Sequence, residues 1–94
     1  MAIFMIEREF AEQLEPEVGG FRELNDLNAD EGVRWLYSFL SADKRRTFCL
    51  YEADSAEAIR RAAQRAGIPA DLVVEVTQVL TADGVQHGIS ESVG

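Results

Sequence analysis

Apolar and polar positions along this chain change period several times, and each change marks an element. Residues 2–8, "AIFMIER", are dense in Ile, Phe and Met and read as a strand. The polar run "EFAEQLEPEVGG" follows, where Pro16 and Gly19-Gly20 argue against continuous regular structure. Phe21, Leu24 and Leu27-Asn28 then recur at helical spacing, so "GFRELNDLNADEG" predicts a short helix ending at Gly32. Residues 33–40, "VRWLYSFL", are aromatic and β-branched, as is "TFCLYEA" at 47–53, with a charged turn between them. The two predict a hairpin with "ADKRR" at its tip.

The clearest helical signal is "DSAEAIRRAAQRAG". Asp54 or Ser55 is placed to cap its first amides, and Glu57 sits where the helix dipole favours an anion. Ile59, Ala62, Ala63 and Ala66 make a stripe of small residues that lets the helix lie close to a sheet. Gly67 ends it and Pro69 prevents its continuation. "DLVVEVTQVL" predicts a last strand. The order strand, helix, strand, strand, helix, strand predicts an α+β domain of the ferredoxin-like βαββαβ plan, with a four-stranded antiparallel sheet. That domain spans residues 1–80, and residues 81–94 are expected to form a flexible or partner-docking tail.

Alternation puts large apolar groups on both sheet faces. A chain of 94 residues has room for one domain and buries only about 60–65% of its unfolded surface. A second copy covering the free face would relieve that shortage, so a homodimer is expected. With 17 acidic against 9 basic residues the formal charge is −8, which opposes nucleic acid and anionic membrane surfaces. A lone cysteine and no basic, apolar leader predict a soluble cytoplasmic protein.

The block "GVRWLYSFLSADKRRTFCLYEADSAEAIRRAAQRAGIPADLVVEV", with the opening "FMIERE", resembles the small bacterial family known as domain of unknown function 4242. The resemblance covers residues 2–78 and rests on several motifs in order. It implies a ferredoxin-like fold assembled as a dimeric α/β barrel, and an activity mostly unassigned, with nickel binding attached to the group. Members often carry a histidine in the second helix before a Gly-aromatic-Pro turn. Ala62 occupies that position here and Ile68 replaces the aromatic.

Candidate chemistry is sparse. If Tyr37 faces Tyr51 across the hairpin, then Trp35, Tyr37, Phe39, Cys49 and Tyr51 share one face and form a candidate aromatic pocket for a small apolar molecule. The plainer reading of the same side chains is sheet-to-sheet packing. Cys49 has no neighbouring cation or imidazole in sequence, so it reads as a small core side chain rather than a nucleophile. Arg8, Arg34, Glu52 and Glu75 interrupt apolar strands and form a candidate charged network, whose plainer reading is ordinary ion pairs. Tyr37, Tyr51 and Glu52 are the candidate catalytic set. His87, the one imidazole, is the metal candidate, though alone in the tail it reads as exposed.

Three functions follow. The first is a dimeric binding protein for nickel or a small apolar molecule, needing no cofactor beyond that possible nickel. The second is a cofactor-independent oxygenase, cyclase or isomerase with an aromatic-lined pocket. The third is a non-catalytic interaction module.

Overall fold

In the computed structural model, which describes residues 1–15 and 18–89, the chain runs β1 (Ala2–Glu9), α1 (Val18–Asp30), β2 (Arg34–Leu40), β3 (Arg46–Ala53), α2 (Ala56–Ala66) and β4 (Leu72–Val76). Two short strands follow, β5 (Gln78–Leu80) and β6 (Gln86–Gly88). The main sheet has the order β2-β3-β1-β4, and every neighbouring pair is antiparallel. This is the ferredoxin-like arrangement expected from the element order. β1 and β3 take its centre, where both edges are covered.

One face of the sheet carries Phe4, Ile6 and Arg8 of β1 with Thr47, Cys49, Tyr51 and Ala53 of β3, and all seven are buried. The helices lie on this face. Ala58, Ala62 and Ala63 of α2 are buried with Ile59, and the missing side-chain bulk brings the helix close to the strands. Ser55 Oγ accepts from the Ala58 N–H at 3.2 Å. Gly67 closes the helix at φ 68°, a left-handed conformation costly for a residue with a Cβ. The Ile68 N–H then returns to the Ala63 carbonyl at 3.1 Å.

The hairpin register differs from the expected one. Trp35 stands opposite Tyr51, but Tyr37, not Leu36, stands opposite Leu50, because a bulge interrupts β2 between Trp35 and Tyr37. One extra residue inverts everything after it. Trp35, Ser38 and Leu40 therefore share the helix-side face with Tyr51, Cys49 and Thr47, while Tyr37 and Phe39 turn outward beside Leu50 and Phe48. The outward face also carries Met5, Leu72 and Val74, the last two exposed.

The single strand expected over 71–80 is divided at Thr77. β5 leaves the sheet and pairs antiparallel with β6, with Val79 opposite His87. The turn between them is closed by Asp83 Oδ1, which accepts from the Thr81 hydroxyl and the Val85 N–H. Residues 90–94 of the expected tail lie outside the described residues. No described helix is long and apolar enough to cross a membrane.

Candidate functional site

The two halves of α1 behave differently. Leu27 packs down on the core and Asn28 is buried behind it, whereas Leu24 and Phe21, one and two turns earlier, stand over open space. The space is a cleft of about 450 Å³ between α1 and the helix-side face of β2 and β3. Its third wall is the irregular segment after β1. There the Phe10 N–H bonds to the Arg45 carbonyl at 2.7 Å and the Leu14 N–H to the Lys44 carbonyl at 2.6 Å. This pairing to the β2–β3 turn presents Phe10 and Leu14 to the cleft.

The walls are apolar and aromatic. The Phe21 and Trp35 rings meet at 5.3 Å with planes tilted by 56°, a tilted geometry that aromatic quadrupoles favour over a face-to-face sandwich. The floor is polar. Arg8, only 4% exposed, donates from Nη1 to the Pro69 carbonyl and from Nη2 to the Tyr51 hydroxyl at 3.4 Å. Its guanidinium carbon also lies 5.6 Å from the centroid of the Tyr51 ring. Burial pushes the Tyr51 phenol above its ordinary pKa, an effect that the nearby Arg8 charge and hydrogen bond only partly oppose. Tyr51 is therefore a neutral hydroxyl at physiological pH. The Cys49 thiol is buried and donates to Thr47 Oγ1 at 3.5 Å, the packed setting expected of a structural cysteine.

Of the expected pocket residues, Trp35, Cys49 and Tyr51 meet in this cleft, joined by Arg8. Tyr37 and Phe39 do not. They stack edge to face on the opposite side of the sheet, with ring centroids 5.7 Å apart. Glu52 is also on that side, 3.8 Å from Arg34. The expected catalytic set is thus split by the sheet, with Tyr51 inside and Tyr37 and Glu52 outside. The charged network is divided as well, since Glu75 stands opposite Phe4, four positions along β1 from Arg8, and is exposed. His87 lies in β6 with Nε2 3.5 Å from Thr81 Oγ1. Among the described residues no group of three or more His, Cys, Asp or Glu side chains stands close enough to hold a metal ion.

Several cleft residues carry no chemical signal of their own. Phe21 and Leu24 are visible in sequence only as the apolar stripe of α1. Phe10 and Leu14, four apart in a polar run, are the one hint of the third wall. Ile68, at the position where the resembled family has an aromatic, lines the cleft, and Ala62, at the histidine position, is packed in the core at 3% exposure.

Comparison with known proteins agrees with the fold. The crystal structure of SCO4226 from Streptomyces coelicolor A3(2) superposes with a TM-score of 0.63 at 27% identity, covering 86% of this chain and all of the other. No curated protein matches the chain. Residues 4–76, from within β1 to the end of β4, match the family described as nickel responsive protein SCO4226-like. The cleft floor and both helices fall inside that match, and the chain belongs to this family.

Proposed function

We propose that this protein is a homodimeric binding protein that holds a small, largely apolar molecule in the cleft beneath α1. The observation that carries the reading is a cleft of about 450 Å³ with aromatic and aliphatic walls over a few converging polar groups, the make-up of small-molecule sites generally. The second copy is expected on the outward sheet face, where Tyr37, Phe39, Leu72 and Val74 are 41–59% exposed on either side of buried Leu50. A continuous apolar surface of this kind marks an interaction site.

Trp35 is the chain's one tryptophan and lines the cleft, so its emission reports occupancy directly. Titration with octanol and hydrocinnamyl alcohol should shift that emission saturably and raise the melting temperature. Leu24→Trp, which fills the space, should abolish the binding. If neither compound, nor a charged analogue of either, produces a saturable change, the binding reading is wrong.

A second reading takes nickel as the ligand, and the family description favours it. The described donors of one chain do not fit it: His87 and Cys49 belong to different sheets, and no three donors converge. Nickel would then need donors beyond the described residues of one chain, such as those of a second copy. Cofactor-independent catalysis is a weaker reading, because Tyr51 is separated from Tyr37 and Glu52 by the sheet.

A further inference from the structure

Arg8 is a buried cation with no anion. None of the ion pairs among the described residues includes it. Its only partners among the described residues are the Pro69 carbonyl and the Tyr51 hydroxyl, both neutral, so most of the five guanidinium N–H donors are uncommitted there. Glu15, the one carboxylate on the cleft wall among the described residues, is exposed and turned to Lys44 at 3.6 Å. Asp71, at the start of β4, is occupied by the Glu9 N–H at 2.7 Å. Buried charges are ordinarily paired, because an uncompensated one forfeits its hydration.

The group beside Arg8 lacks an acceptor too. The Tyr51 hydroxyl accepts from Arg8, and no acceptor takes its own proton among the described residues. Asn28, 3% exposed, stands beside that hydroxyl with its amide toward it. Two groups with donors left over, Arg8 and Tyr51, line an apolar cleft and describe one half of a recognition site.

We infer that the ligand of the cleft is an amphipathic carboxylate, whose hydrocarbon or aryl body lies against Phe21, Leu24 and Trp35 and whose carboxylate pairs with Arg8 and Tyr51. The planar fork of Arg8 matches two carboxylate oxygens as an ammonium would not. The cleft volume of about 450 Å³ matches a body of modest length. This inference deepens the binding reading above and rests on it.

The test compares matched pairs on the unmodified chain: octanoate against octanol, and hydrocinnamate against hydrocinnamyl alcohol, with octylamine as the opposite charge. Calorimetry and Trp35 emission are the readouts. Each acid is expected to bind at least about tenfold more tightly than its alcohol, the worth of a charge-assisted pair, with the amine weakest. In Arg8→Met the acid and the alcohol should bind alike. Equal binding of acid and alcohol to the unmodified chain overturns this inference and leaves the cleft reading standing. Binding of none of the five compounds overturns both. A preference for acids that survives in Arg8→Met removes Arg8 from the role. Should that variant not fold, Tyr51→Phe, which keeps the ring and deletes the hydroxyl, is expected to narrow the preference, and an unchanged preference removes Tyr51 from the site.

Discussion

The indole nitrogen of Trp35 donates to Ser38 Oγ across 2.8 Å, spanning the bulge that separates the two residues. That bond satisfies a partly buried N–H which would otherwise face the apolar cleft, and it sets the rotamer of the ring forming the cleft wall. Ser38→Ala leaves the donor unpaired and is expected to lower unfolding stability by about 1–2 kcal/mol. Urea unfolding followed by Trp35 emission measures this. A native emission spectrum and an unfolding midpoint both unchanged in the variant would show that the bond is idle.

The outward face gives the second prediction. Phe39 is 59% exposed there and meets Tyr37 edge-on. If it is buried between two copies, Phe39→Glu loses about 2 kcal/mol of apolar burial from each, and the dimer dissociation constant should rise by at least roughly thirtyfold. Sedimentation velocity across a concentration series reads the shift. A monomer for the unmodified chain at all concentrations would refute the proposed dimer.

Glu31 supplies the third. Its carboxylate is held by Arg61 at 3.1 Å and Arg65 at 3.0 Å, which tie the end of α1 to α2. The hydrogen bond from Arg61, then that from Arg65, hold its pKa below the ordinary 4.5. A pKa depressed by folding stabilises the native state at pH above the unfolded value, and that contribution is lost as pH falls through the folded one. The melting temperature of Glu31→Gln should therefore lie below that of the unmodified chain at neutral pH, with the gap closing on the acid limb. Parallel curves over the whole range would mean that the bridges contribute nothing.

Nickel is the fourth. A nickel titration followed by native mass spectrometry is expected to leave one chain without stoichiometric metal, because its described donors do not converge. Metal held by the dimer, and lost in His87→Ala, is the outcome that would move the assignment to the nickel reading.

The sequence revealed the layers of this fold more fully than its site. Strand and helix periods, the Ser55 cap and the Gly67 stop are local properties, and the element order leaves few topologies for them. The division of the aromatic residues between faces was not legible, because strict alternation from Trp35 puts Tyr37 and Phe39 beside it and nothing in "RWLYSF" marks the bulge. Arg8 and Tyr51 were individually visible as a charge and an aromatic in strands. Their meeting depends on the β1–β3 register, which is a long-range property. The burial of Cys49 is a property of its strand neighbours that needs no register to predict.

Phe10 and Leu14 guard the cleft from a segment with no regular structure, and two backbone hydrogen bonds to Lys44 and Arg45 carry them. Lys44 and Arg45 line none of the cleft. The aperture is thus governed from the hairpin tip, where Lys44 holds φ 61°. If the proposed ligand occupies the cleft, substitutions at that tip would form a dial on its size, separate from the residues that line the cleft. Relatives that differ there could admit different molecules over an identical floor.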